Sequence, residues 1–585
     1  QGVDVGAIQA LSLAARSDKY HVKAIKPLPR RKLYEKVPLV DCFTAPCKGG
    51  CPIGQDIPEY IELCRKGEYA SALRLITEKN PLPFITGTIC AHNCMTKCMR
   101  NYYDEPVNIR ATKLVAAERG YEAYMAKIKA PAPVTDGRKV AVIGGGPTGM
   151  AAAYFVGRAG IPVTIFERSG VLGGIVRQVI PAFRISDDAI DHDVALMFKM
   201  GVEVKLNTEA PSVAELKAQG YTHIFFAVGA WKAGKLDIPG NVVPVIGWLK
   251  DMKAGKEVSM GHVAVVGGGN TAMDAARAAL RAGAKSSTLV YRRTKKYMPA
   301  DAEELEMAIA DGVEFLELVA PVEQKDGKLV CEKMKLGDPD EKGRRKPVPT
   351  GEMVEIPCDT VISAVGEKVE SEVFTQNGIT VDAKGIPDFK TNLEGVYAGG
   401  DAMRGPATVV EGIADAQYFA NDVIGEAHKF SIPAKAVATR EEAIAKKGIL
   451  CESAKCEGDR CLTCNVVCQV CADVCPNRAN VVIELPDGRQ QILHVDRMCN
   501  ECGNCAVFCP YDSAPYRDKF TLFLTKEGFD ESVNNQGFLP LGGKKVLVRL
   551  NGKVFEADLD GKNDLPADIE VFIWTVLTKY AYLVG

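Results

Sequence analysis

The sequence lacks any long hydrophobic run: no stretch approaches the roughly eighteen apolar residues of a membrane span, so none is expected. It also lacks an excess of either charge. Lys and Arg number 72 against 74 Asp and Glu, for a formal net charge of −2, and neither nucleic acid nor an anionic membrane surface is expected as partner. The opening segment, QGVDVGAIQALSLAARSDKY, has no basic start with a continuous apolar core, so it does not read as a signal peptide. It has no initiating Met, which fits a processed chain or the later part of a longer polypeptide. Twenty cysteines in 585 residues are far too few for a disulfide scaffold.

The cysteines are, however, concentrated. All but Cys331 and Cys358 fall between Cys42 and Cys98 or between Cys451 and Cys509. Short fixed spacings argue for metal rather than disulfides, and for a reducing, cytoplasmic compartment. Cys331 and Cys358 read as buried small hydrophobes, and Cys64 as a core position on a helix. The run CNECGNCAVFCP matches the C-x2-C-x2-C-x3-C-P pattern of a two-cluster ferredoxin with Cys499, Cys502, Cys505 and Cys509. Upstream, Cys475, Cys471 and Cys468 keep the offsets, but Asn465 stands where the next cysteine belongs and Cys464 lies one residue further out. The fourth cysteine of each run serves the other cluster. This assigns Cys464, Cys468, Cys471 and Cys509 to one [4Fe–4S] cluster and Cys475, Cys499, Cys502 and Cys505 to a second. Cys451, Cys456 and Cys461 are left over, either as three ligands of an extra cluster or as unligated thiols. Zinc also uses C-x2-C pairs, but the full ferredoxin match argues against it.

Between the cysteine blocks lie two glycine-rich turns. In KVAVIGGGPTGMAAAYFVGRAGIPVTIFER, Gly144, Gly146 and Gly149 sit between a predicted strand and helix. Such a turn lets a pyrophosphate approach the helix N-terminus, and Glu167, ending the next strand, can take ribose hydroxyls. The second turn, GHVAVVGGGNTAMDAARAALRAGAKSSTLVYRR, repeats this with Gly267, Gly269 and Ala272. There the acid is replaced by Arg292 and Arg293, whose guanidinium groups suit a 2′-phosphate, so NADPH is favoured over NADH.

The segments VIGGGPTGMAAA, GGIVRQVIPAFRI, VVGGGNTAMDAARAALRAGA, YRRTKKYMPA and GVYAGGDAMRGPATVVEGIADAQ resemble the small subunit of glutamate synthase and its relatives. The resemblance implies an FAD domain interrupted by an NADPH domain and preceded by a helical iron–sulfur domain. It implies FAD at Gly144, Gly146, Pro147, Gly149, Glu167, Arg168 and Gly174, with Gly400 and Asp401 near the ribityl phosphate and Thr408, Val409 and Val410 near the flavin ring. It implies NADP(H) at Gly267, Gly269, Asn270, Thr271, Ala272, Arg292 and Arg293. Hydride transfer between aligned rings needs no nucleophile or acid–base pair, and no catalytic side chain is assigned.

The same resemblance, shared with dihydropyrimidine dehydrogenase, implies one or two [4Fe–4S] clusters on Cys42, Cys47, Cys51, Cys90, Cys94 and Cys98. Cys42, Cys47 and Cys98 would hold one and Cys51, Cys90 and Cys94 the other. Each would be one ligand short, since Leu39 and Lys113 occupy the remaining positions; alternatively the six cysteines support one complete cluster. The ferredoxin run and the C-terminal hairpin resemble the selenate reductase flavoprotein subunit family, which is associated with molybdenum hydroxylases and often carries another domain upstream.

The expected fold is multidomain α/β. A lead segment 1–30 precedes a helical iron–sulfur domain, 31–134. FAD-binding parts 135–255 and 367–432 flank an NADPH domain, 256–366. A ferredoxin-like 2[4Fe–4S] domain, 433–520, and a small α+β extension, 521–585, follow. The expected function is electron transfer among NADPH, FAD, clusters and a redox partner protein, a molybdenum hydroxylase being one candidate. The alternatives are a self-contained reductase with a missing upstream domain, an electron-bifurcating NADPH–ferredoxin transhydrogenase, and a non-catalytic assembly subunit.

Overall fold

Val140–Ile143 and Val163–Phe166 are apolar, partly β-branched runs buried along their whole length, as parallel strands covered on both faces must be. The computed structural model describes residues 5–17, 44–258, 260–339, 345–425, 435–511, 513–532, 535–561 and 563–584. Cys42 and most of the lead segment lie outside the described residues; within that segment Val5–Ser17 is a helix.

The chain divides into two compact units, Leu73–Ala91 with Lys113–Ile432, and Gln1–Ala72 with His92–Thr112 and Pro433–Gly585. The helical segment expected over 31–134 is therefore shared between them. The larger unit holds two five-stranded parallel sheets. The first runs Val396–Ala398, His223–Phe226, Val140–Ile143, Val163–Phe166, Glu203–Lys205. The second runs Val242–Pro244, Thr360–Ser363, His262–Val266, Ser286–Tyr291, Glu314–Glu317. The chain leaves the first sheet after Phe226, builds the second together with an antiparallel sheet of three strands, and returns at Val396. A two-residue ribbon, Lys232–Ala233 against Glu367–Lys368, ties the outgoing and returning chains.

The smaller unit carries a six-stranded mixed sheet, ordered Asn480–Glu484, Gln490–Val495, Phe520–Leu522, Gly537–Gly542, Lys545–Leu550, Lys553–Asp558. The boundary expected at residue 520 thus runs through a sheet, because Phe520–Leu522 pairs with strands on both sides of it. Helix Ala567–Lys579 covers the sheet with Ile569, Phe572, Ile573 and Val576, one face at helical spacing. Two helices, Ile57–Arg65 and Tyr69–Thr77, follow one another, parted at Gly67 with φ 78°.

In the larger unit, helix Pro83–Ile89 starts on a buried acid. The Asp193 carboxylate accepts the backbone N–H groups of Phe84 at 3.1 Å and Ile85 at 2.8 Å, and burial pushes its pKa well above the usual range. Asp193→Ala leaves both donors unpaired in the core, and about 2–4 kcal/mol of stability is expected to be lost. Asp193→Asn, which keeps one acceptor oxygen, should recover part of it in the urea midpoint followed by flavin release.

Candidate functional site

Gly144 ends the first strand with φ 105°, and a Cβ there would stand 2.5 Å from the Ala227 carbonyl oxygen. A Cβ on Gly149 would overlap the Gly144 carbonyl, so helix Pro147–Arg158 can start this close to the turn only with glycine at that position. Gly146 differs, since its Cβ would find nothing nearer than the Gly174 Cα at 3.9 Å. Pro147 opens the helix at a position where its missing N–H costs nothing. Two outer contacts are closed and the middle one is open.

Glu167 sits past strand Val163–Phe166 with both carboxylate oxygens engaged by backbone. Gly145 N–H donates to Oε2 at 2.6 Å and Ser169 N–H to Oε1 at 2.7 Å. A carboxylate has lone pairs to spare, so these bonds orient Glu167 without exhausting it. Gly173 N–H donates to the Gly145 carbonyl at 2.8 Å, bringing the Gly174 turn onto the first one. Arg168 pairs with Glu370 at 3.2 Å and lies 5.7 Å from the Trp231 ring.

The returning chain completes this cradle. Gly400, with φ 64°, and Gly412 each leave room for Thr148, whose Oγ1 a Cβ at either position would overlap. Gly400 N–H donates to Asp415 Oδ2 at 2.9 Å, and Asp415 pairs with Arg404 at 2.5 Å. Thr408 and Glu411 form a reciprocal capping box for helix Val409–Ile424, whose first residues are Val409 and Val410. Asp401 begins the short helix Asp401–Arg404 and accepts the Ala407 N–H at 3.0 Å. Its pKa is pushed up to about 6, by burial first and then by Glu367, Glu411 and Asp415.

The second turn repeats the signature. A Cβ on Gly267 would overlap the Ala364 carbonyl, Gly269 has open space around it, and Ala272 is fully buried under helix Asn270–Arg281. Asn270 is fixed by Asp301, whose N–H donates to Asn270 Oδ1 at 3.0 Å, and Thr271 follows it in the first helical turn. Strand Ser286–Tyr291 hands directly to Arg292, which is exposed, and to Arg293, whose Nε donates to the Arg345 carbonyl at 3.2 Å.

The smaller unit gathers thiols. Cys47 lies in helix Pro46–Gly50, Cys51 ends it, and Cys94 and Cys98 flank the turn Met95–Lys97. Cys90 belongs to the larger unit, as does Lys113, which faces Asp193. Tyr60 is buried against Cys94, Cys51, Cys47 and Cys64; burial first, then these sulfurs, push its hydroxyl pKa well up. Cys47, Cys98, Cys461 and Cys464 line one cavity. Burial raises the pKa of all four thiols, to about 11 for Cys461. In the ferredoxin-like stretch, Cys471 and Cys505 share a buried apolar cluster with Tyr516 and Ile492. Cys475 and Cys505 neighbour Cys499, and Cys502 neighbours Cys505. Backbone N–H groups reach these sulfurs: Ala479 donates to Cys475 at 3.2 Å and Glu501 to Cys499 at 3.3 Å. Cys468 neighbours Cys464, and Cys509 follows helix Asn504–Val507. Among the described residues no three Cys, His, Asp or Glu groups close on one point as around a single ion.

Residues 138–416 match the family model for pyridine nucleotide-disulphide oxidoreductases, and residues 34–124 that for dihydropyrimidine dehydrogenase domain II, 4Fe-4S cluster. The chain is 41% identical to YgfK of Escherichia coli strain K12, which carries an oxidoreductase name, over 97% of this chain and 58% of that one. It is 38% identical to the NADPH-Fe(3+) oxidoreductase subunit beta of Geobacter sulfurreducens, over 64% of this chain and 63% of that one. It is 30% identical to the glutamate synthase [NADPH] small chain of Escherichia coli, covering 66% of this chain and 89% of that one. The chain belongs to the glutamate synthase small-chain family of FAD, NADPH and iron–sulfur oxidoreductases. It spans 58% of the length of YgfK. No helix among the described residues is long and apolar enough to cross a membrane.

Sequence reasoning passed over Thr148, although it lies inside the first fingerprint, because its partners Gly400 and Gly412 are remote in sequence. It also left Cys461 without a role, since the cysteines nearest to it in space come from both blocks. The closed and open glycine positions predict opposite outcomes. Gly149→Ala should lower the unfolding midpoint of flavin-stripped protein by the equivalent of about 1–3 kcal/mol. Gly146→Ala should leave that midpoint within about 0.5 kcal/mol and instead lower the flavin retained on purification, read by visible absorbance.

Proposed function

We propose that this chain is the electron-transfer subunit of a redox assembly, moving electrons between NADP(H), FAD, [4Fe–4S] clusters and a partner protein. The observation that carries the reading is the repeated turn, closed at one outer position and open in the middle, standing twice in one unit while the other unit collects thiols. Gly144, Gly146, Pro147, Gly149 and Gly174 would hold the FAD pyrophosphate against the N-terminus of helix Pro147–Arg158, with Glu167 on the ribose. Gly400 and Asp401 would meet the ribityl phosphate, and Thr408, Val409 and Val410 would edge the flavin ring. Gly269, Asn270, Thr271 and Ala272 would take the NADPH pyrophosphate, and Arg292 and Arg293 its 2′-phosphate.

FAD held by these residues would supply a hydride acceptor for NADPH that can pass electrons on singly, the increment in which iron–sulfur clusters cycle. The chain's own contribution is alignment. The Arg404–Asp415 pair holds the Gly400 turn, and the capping box fixes the start of helix Val409–Ile424, so an FAD placed there would meet backbone fixed in advance. Cys475, Cys499, Cys502 and Cys505 are proposed for one C-terminal cluster, and Cys468, Cys471 and Cys509 with Cys464 for the other. Backbone N–H groups at Cys475 and Cys499 would help set a potential there.

A relative named as a subunit supports a protein partner. The likeness to selenate reductase flavoprotein subunits makes a molybdenum hydroxylase the first to try, and clustered thiols fit the reducing cytoplasm.

The test is an anaerobic titration with NADPH, and separately NADH, followed by visible absorbance and electron paramagnetic resonance. NADPH should bleach the flavin and then raise reduced-cluster signals; if neither nucleotide touches the flavin, the reading fails. In the same assay, replacing Arg292 and Arg293 together by Ala should raise KM for NADPH about 10- to 100-fold, the worth of charge-assisted hydrogen bonds, with NADH reduction unchanged. An equal loss with both nucleotides would remove the arginines from the 2′-phosphate site.

A further inference from the structure

We propose that Cys461 is a thiolate ligand of the iron–sulfur cluster held by Cys47 and Cys98, so that the C-terminal cysteine block completes a cluster of the N-terminal one. The proposal rests on the reading above that the N-terminal block holds a cluster.

Cys451, Cys456 and Cys461 are evenly spaced in sequence, yet the fold treats them differently. Cys451 and Cys456 are exposed, whereas Cys461 is 8% exposed and lines the same cavity as Cys47 and Cys98. Two of these sulfurs already receive backbone N–H donors, from Val107 and Arg100 at Cys98 and from Thr463 at Cys461. Donors of this kind commonly surround cluster sulfurs.

Buried cations stand close by. Arg100 and Arg460 lie near Cys98, and Lys446 near Cys461, where they offset the negative charge of several thiolates. Arg460 is almost fully buried and bonds through its terminal nitrogens, but its Nε finds no partner among the described residues. A buried donor left over beside a sulfur-lined cavity fits a site meant to hold a further group.

The segments are also clamped in register. Lys446 pairs with buried Glu62, Arg100 donates to the Ile449 carbonyl at 2.7 Å, and Asn465 Nδ2 donates to Glu59 at 2.8 Å. Cys464 lines the cavity too, but it also neighbours Cys468, the start of the ferredoxin-like run, and is left to that cluster. The assignment supplies the ligand that Leu39 does not. On ligation the Cys461 thiol loses its proton to solvent and its sulfur forms one bond to iron.

The full chain, purified anaerobically, is compared with Cys461→Ser and Cys461→Ala. Iron, acid-labile sulfide, flavin content, and Mössbauer and electron paramagnetic resonance spectra are recorded. Cys456→Ser, which removes an exposed thiol from the same segment, is the control. Cys461→Ala should lose about four irons per chain, or convert one [4Fe–4S] cluster to [3Fe–4S]. Its flavin content and flavin reduction by NADPH should be unchanged, and Cys456→Ser should match the wild type. Retained flavin separates ligand loss from misfolding, and Cys461→Ser, with its weaker oxygen ligand, should show a shifted spectrum rather than none. Wild-type iron and spectra in both Cys461 variants would overturn the assignment alone. A wild-type chain that binds flavin but no iron would overturn the reading of the cysteine blocks, and the proposal with it.

Discussion

Helices Pro147–Arg158 and Val409–Ile424 meet through Thr148, and they can do so only because Gly400 and Gly412 carry no side chain. The rest of the larger unit depends on this approach. The first sheet is assembled from two pieces of chain separated by an entire second sheet, and Val396–Ala398 reaches its edge only if the returning helix packs on the outgoing one. The short ribbon of Lys232–Ala233 against Glu367–Lys368 performs the same task at the neck of the insertion, where Gly234 N–H donates to the Gly366 carbonyl at 2.7 Å. Long insertions cost little closure entropy when their ends are pinned together, which is why one nucleotide fold can interrupt another.

The same close packing sets the electrostatics around the Gly400 turn. Asp415 is buried at 1% exposure, yet a backbone N–H and the Arg404 guanidinium satisfy it, and through these bonds it holds the Gly400 turn. Asp401, earlier in the chain, accepts the Ala407 N–H, and burial together with three neighbouring carboxylates pushes its pKa up to about 6. The two acids thus differ because a guanidinium pairs with one and carboxylates surround the other.

Features encoded locally were legible in the sequence. The glycine turns and the C-terminal hairpin each depend on residues within a few positions of one another, and spacing alone exposes them. Features made by distant partners were not. A boundary at 520 was reasonable from the end of the ferredoxin-like pattern, but Phe520–Leu522 joins strands before and after it, and pairing partners leave no local mark. The stretch over 58–80 has the apolar period of one helix, and only the left-handed turn at Gly67 breaks it. Cys461 was the hardest to read: its own segment suggests a repeat with Cys451 and Cys456, while its environment is set by Cys47 and Cys98, hundreds of residues away.

That environment also bears on how the smaller unit folds. As neutral thiols, Cys47, Cys98, Cys461 and Cys464 behave as small apolar groups, and raised pKa values keep them so at neutral pH. Buried cations without metal-bound thiolates are the costlier part, and here Arg100 and Arg460 share Asp104 while Lys446 takes Glu62, so most of that charge is neutralised within the protein.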